Sequence, residues 1–132
     1  MSAGKMKAPA EIKAPEGKEA VAADFMNAAP KIKGVFCEAF GKTVYLRAMT
    51  AAEKDEWFFQ IADAAKRGEE YKNMTARLLV RCLCDGGGNL LFKPSDADVL
   101  GKADAGLLAM LFEEASELCG LTPKSIENAA KN

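Results

Sequence analysis

A chain of 132 residues, 49% hydrophobic and 28% charged, is long enough to bury one core and short for two domains. Its formal net charge of −1 argues against the concentrated basic face that phosphate binding needs, so nucleic acid is not expected as a main partner. The absence of histidine removes the commonest general base near neutral pH, and no apolar run is long enough to span a bilayer.

The charge is graded along the chain: residues 1–34 hold six Lys against four acids, and residues 85–132 hold four Lys against eight acids. Residues 1–20 repeat a Lys-Ala-Pro unit at Lys7 and Lys13 and are poor in large apolar groups. Such a stretch cannot bury enough surface to offset the entropy of ordering it and reads as a flexible N-terminal arm. Residues 21–132 read as a single domain. Val21 to Ala29 has the makings of a short helix, ended by Pro30, with little to bury.

The next segment, about 33–47, alternates β-branched and aromatic residues around a turn at Gly41 and Lys42, which predicts a β-hairpin. A lone hairpin is barely stable in water, so it must pack on helices or pair with another chain. Thr50 and Glu53 then form a capping box that starts a helix over about 51–66. At 100° per residue Trp57, Phe58, Ile61, Ala62 and Ala65 share one stripe, and Phe59 falls about 130° from its centre.

A second helix is predicted over about 73–84. Met74, Leu78, Leu79, Val80, Cys82, Leu83 and Cys84 cover nearly its whole circumference, and only Arg77 and Arg81 mark a polar edge, so it reads as a central, buried helix. The glycines at 86–88 end it, and Leu90, Leu91 and Phe92 are expected to return to the core as an extended piece. Ser95 is the expected N-cap of a helix over about 95–100 that Gly101 stops. Asp104 caps a helix over about 104–119, apolar along Leu107, Leu108, Leu111, Phe112, Ala115, Leu118 and Cys119 and stopped by Gly120. Thr122 and Pro123 open a last helix over about 122–130. These signals predict an α+β fold, mostly helical, with an N-terminal β-hairpin packed on a helical bundle.

Sites of chemistry are weak. Gly41-Lys42-Thr43 resembles the end of a phosphate-binding loop, but Phe36 stands where the leading glycine belongs and a strand follows. Residues 85–96 have the length of a calcium loop, yet Leu90 replaces the turn glycine and Lys93 occupies a ligand position; a turn and a helix cap explain the same residues. Cys82 and Cys84 sit two apart on the expected helix and diverge, with no histidine to complete a zinc site. With no secretory signal ahead of them, Cys37, Cys82, Cys84 and Cys119 read as reduced thiols of a cytosolic protein. No catalytic, cofactor-binding or metal-binding residue is assigned, and the protein is read as a non-enzyme.

What remains is contact surface. Trp57, Phe58 and Phe59 cannot all enter one core from a regular helix, so one ring is exposed or meets another protein, or else belongs to a satellite cluster under the hairpin. Trp57, Phe59, Arg77 and Arg81 are the candidate partner-binding residues. For Arg77 and Arg81 a salt-bridged helix edge is the competing reading.

Taken in order, residues 46–55 from Leu46, 77–85 from Arg77, 89–98 from Asn89, 107–112 from Leu107 and 117–122 from Glu117 resemble the tail assembly chaperones of long, non-contractile-tailed bacteriophages. The resemblance covers about two thirds of the chain and rests on order and spacing. It implies a chaperone acting in the bacterial host cytoplasm that binds the tape-measure protein, keeps it soluble and helps bring tail tube subunits to it. It also implies several copies per client, absence from the finished virion, and a short product made beside a longer frameshifted form that meets the tube protein. The Lys-Ala-Pro arm and the triple glycine depart from the family pattern. The competing function is a connector or tail-completion protein that stays in the virion.

Overall fold

Turn chemistry starts the sheet. Gly41 adopts φ +63, a left-handed conformation that favours glycine, and its N–H reaches the Cys37 carbonyl at 2.9 Å. The turn joins β1 (Ile32–Cys37) to β2 (Lys42–Arg47) in antiparallel register, with Val35 opposite Val44 and Gly34 opposite Tyr45. A computed structural model describes residues 17–131. Most of the expected N-terminal arm, residues 1–16, lies outside the described residues.

Strand alternation gives the sheet two different faces. Val35, Val44 and Leu46 pack on the helical core, whereas Ile32, Phe36 and Tyr45 are exposed. The Tyr45 ring passes close over Gly34, where an added Cβ would stand 3.1 Å from the ring. A large residue at 34 would therefore push the aromatic aside.

The central helix expected over 73–84 is a correction. Helix α3 covers only Met74–Leu79, a turn follows, and Leu83–Cys84 form a third strand, β3, paired antiparallel with β2. The hairpin is thus two strands of a three-stranded sheet ordered β1-β2-β3. The reason is that a short, fully buried apolar run looks alike as helix or strand. Arg47 N–H, donating to the Cys82 carbonyl at 2.7 Å, extends the ladder where continued helix would have left that group unpaired.

The return after the glycines also differs. Leu90 bridges to Cys84, but Leu90 and Leu91 are exposed and only Phe92 packs against the core. Asp85 closes the loop by accepting from the N–H groups of Gly87 and Asn89 at 2.9 and 3.0 Å, so its carboxylate is committed to a turn. The backbone and side chain of Asn89 hold its pKa below the usual carboxylate value. The next element starts as a 3-10 turn over Pro94–Asp96, where Asp96, not Ser95, bonds the capping N–H of Lys93 at 2.8 Å.

The remaining helices form the bundle: α2 (Ala51–Lys66), α4 (Ala97–Leu100), α5 (Ala105–Leu118) and α6 (Pro123–Lys131), with a short α1 (Ala22–Met26) ahead of the sheet. In α2 the buried residues are Trp57, Ile61 and Ala64, spaced i, i+4, i+7 as one helix face requires. Ala65, expected on that stripe, is exposed. In α5 Leu108, Leu111 and Ala115 are buried and Asp104 caps through Leu107 N–H at 3.0 Å. α6 packs along α2. All this makes one small α+β domain.

Two half-buried clusters tie the elements together. The Cys82 and Cys119 sulfurs lie 3.9 Å apart, and Met49 N–H donates to Cys119 at 3.3 Å. The hydrogen bond from Cys82, with that of Met49, draws the Cys119 thiol down to about 7, while bonding to Cys119 and burial push Cys82 up. Glu53 accepts from Thr50 N–H at 2.8 Å and from Arg47 Nη2 at 2.8 and 2.9 Å. Burial works against its charge, but these donors win and hold its pKa below the ordinary value of 4.5.

A depressed carboxylate stabilises the fold above its unfolded pKa and loses that contribution as pH falls through the folded one. Glu53→Gln should therefore lower stability at pH 7 by about 1 kcal/mol, the worth of a cap and a screened ion pair. It should also flatten the acid limb of the stability curve below about pH 4.5. Urea titrations of both proteins at several pH values check this; an acid limb of unchanged steepness would contradict it.

Candidate partner-contact site

The candidate site grows from the middle of α2, where three consecutive aromatics leave the helix in different directions. Trp57 is fully buried and carries its neighbours: Phe58 meets it at 5.6 Å between centroids, and Tyr71 stands edge-on at 6.4 Å and 77°. Such tilted and T-shaped pairs are the favoured aromatic arrangements. Among the described residues, Trp57 Nε1 has no hydrogen-bond partner. Trp57 is accordingly core and support, a correction to its expected place on the contact surface.

Phe59 is different. Its side chain is 68% exposed and stands on a ridge between two hollows. On one side is a cleft of about 550 Å³ lined by Phe59, Gln60, Asp63, Tyr71 and Arg77 among others; on the other is a hollow of about 470 Å³ between α2 and α6, lined by Phe58, Phe59, Ala62 and Ala129. Single exposed apolar side chains are common on protein surfaces; what sets Phe59 apart is the concave surface on both of its sides.

Arg77 joins this site and Arg81 does not. The Arg77 guanidinium lies 5.0 Å from the centroid of the Tyr71 ring, within cation–π range, and its Nε donates to the Lys72 carbonyl at 2.8 Å. Arg81 is only 5% exposed. It donates to Arg77 O and to Glu56 Oε1, each at 2.9 Å, and more distantly to Gln60. It braces α3 against α2 and belongs to the salt-bridged edge rather than the surface.

Tyr71 and Gln60 were not foreseen. Tyr71 O–H donates to Gln60 Oε1 at 2.9 Å, which closes the floor of the cleft. Burial, partly countered by Arg77 and Arg81, raises the Tyr71 pKa, so the phenol stays protonated and able to donate. A lone aromatic in the polar loop between α2 and α3 has no periodicity to betray it.

The cleft's charges serve structure. Arg67 pairs with Asp63 at 3.1 Å and Glu69 at 2.6 Å, exposed pairs of small energetic weight. No group of three metal-ligating side chains is assembled among the described residues, and none of their helices is long and apolar enough to cross a membrane. An exposed phenyl ring, an arginine stacked on tyrosine and a charged rim suit protein contact.

Comparison with known proteins supplies the context for that surface. A sequence profile described as phage tail assembly chaperone matches residues 22–132. The chain belongs to the phage tail assembly chaperone family. No curated protein and no solved structure matches it. For a tail assembly chaperone the partners are phage tail proteins, and the matched span contains the whole sheet, all of the bundle and the Phe59 ridge.

Proposed function

We propose that this tail assembly chaperone binds the tape-measure protein through the Phe59 ridge, keeps it soluble in the host cytoplasm, helps recruit tail tube subunits and leaves before the virion is complete. It acts by contact, without catalysis, and as several copies on one client. The observation that carries the reading is Phe59, exposed on the ridge beside Tyr71 and Arg77 in a chain of this family. A holdase needs adaptable apolar surface that stays soluble by itself, and one ring between two shallow hollows supplies it.

The test is coexpression with the tape-measure protein of the same genome, followed by pull-down. Wild-type chain should hold the client in the soluble fraction and copurify with it. Phe59→Ser should lower client recovery about tenfold, equal to the roughly 1.4 kcal/mol that a contact of this kind contributes, with the chain's own melting temperature nearly unchanged. A client that stays insoluble beside wild-type chain overturns the reading. Stoichiometric recovery of this chain from purified particles would instead make it a virion component.

A further inference from the structure

Of the four cysteines, the fold brings two together. Cys82 lies in the turn between α3 and β3, and Cys119 is the C-cap of α5. They stand 37 positions apart in sequence, yet their sulfurs are 3.9 Å from one another. A disulfide holds its sulfurs about 2.05 Å apart, so the pair has roughly 2 Å to close, a distance within the swing of one side-chain rotation. Cys37 and Cys84 are buried too, and neither has another cysteine sulfur within hydrogen-bonding reach among the described residues.

The two partners sit in unequal surroundings. Cys82 is wholly enclosed, whereas Cys119 is partly exposed. Cys119 Sγ accepts from the N–H of Met49, the residue just ahead of the N-cap of α2, and Lys54 in the first turn of that helix donates to the Cys119 carbonyl at 3.3 Å. A helix N-terminus and a nearby ammonium favour the thiolate over the thiol. The bond from Cys82, Met49 N–H and Lys54 together outweigh burial and Glu53, which act the other way on Cys119. Cys82 is kept protonated by its bond to Cys119 and by burial. A single buried cysteine is a small hydrophobe. Two in contact, one reachable and ionisable and the other dry and protonated, suit an attacking thiol beside a resolving one.

We propose that Cys82 and Cys119 form a modification site at which hydrogen peroxide converts the two thiols into an intramolecular disulfide that staples the end of α5 to the entry of β3. The Cys119 thiolate attacks one peroxide oxygen, the O–O bond breaks, and the other oxygen leaves as hydroxide and takes up the proton that Cys119 had lost, giving water. The sulfur, oxidised by two electrons, is then a sulfenic acid. The Cys82 sulfur attacks it; the S–S bond forms, the S–O bond breaks, and the departing hydroxyl takes the Cys82 proton as a second water. Two thiols and one peroxide thus give one disulfide and two waters. Neither cysteine lines the hollows beside Phe59, so the site stands apart from client binding. A crosslink across 37 positions restricts the unfolded chain and should raise the melting temperature by about 10 °C.

The test treats the reduced full chain with hydrogen peroxide at neutral pH and maps its peptides by mass spectrometry. Conversion of Met26, which is 84% exposed, to its sulfoxide shows that the dose was sufficient. Wild type should give a linked Cys82–Cys119 peptide pair within one chain, leave Cys37 and Cys84 as thiols, melt higher, and return to its starting melting temperature with a dithiol reductant. Cys82→Ala should stop at the sulfenic acid, so that dimedone captures Cys119 about tenfold more than in wild type. Cys119→Ser should leave Cys82 a thiol, and replaces the first variant if that one does not fold. Four free thiols beside an oxidised Met26, a link between other cysteines, an unchanged or lower melting temperature, or equal dimedone capture with and without Cys82 would each overturn the proposal.

Discussion

Trp57→Ala is expected to lower folding stability by about 3–5 kcal/mol, the range for removing a large buried aromatic. A domain of this size has about 5–15 kcal/mol in total, so much of it would go. The loss has a local pattern as well. Trp57 is the ring on which Phe58 and Tyr71 rest, Tyr71 bonds Gln60 and lies under Arg77, and these form the cleft beside Phe59. Urea denaturation should show a lower midpoint with a similar slope, and client binding should fall as well. Phe59→Ser, two positions along the same helix, should separate these effects. It should leave stability within about 0.5–1 kcal/mol, because an exposed ring has few contacts to lose. If both variants lose stability alike, Phe59 is packed and the ridge is not a contact surface.

That contrast also marks what the sequence could and could not tell. The 130° offset of Phe59 from the α2 stripe follows from helix geometry alone, and its exposure agrees with it. Which of the three aromatics goes deepest depends on what α3 and the Tyr71 loop bring to that face, and no pattern within α2 contains that information. Cap signals were legible because they are local chemistry: Thr50 with Glu53, and Asp104 with Leu107 N–H, make the bonds their spacing allows. Strand β3 was not legible. Two buried residues after a helix show no alternation, and only the Leu46–Leu83 and Tyr45–Cys84 pairings reveal them as strand. Arg81 likewise reads as a polar edge until Glu56 and Gln60 on α2 are seen to enclose it.

Leu46→Ala is the second large effect, expected at about 3–5 kcal/mol, in the upper part of the range for deleting a buried leucine. Within that range the cost depends on how far the surroundings can close on the vacated volume. Leu46 is fully buried in the middle strand, opposite Lys33 on one side and Leu83 on the other. Arg47 next to it is bonded by its backbone to Cys82 and by its side chain to Glu53 on α2, so β2 is held on both edges and from above. A strand so fixed cannot move inward, and the cavity stays open. Val35 offers the control: it packs on the same core but lies on the edge strand β1, paired on one side only. Val35→Ala should therefore cost about 1–2 kcal/mol, since a smaller group is lost and a freer strand can settle. Chemical denaturation of the two variants side by side measures the difference. Equal costs would mean that β2 yields as readily as the edge and that the third strand does not clamp it.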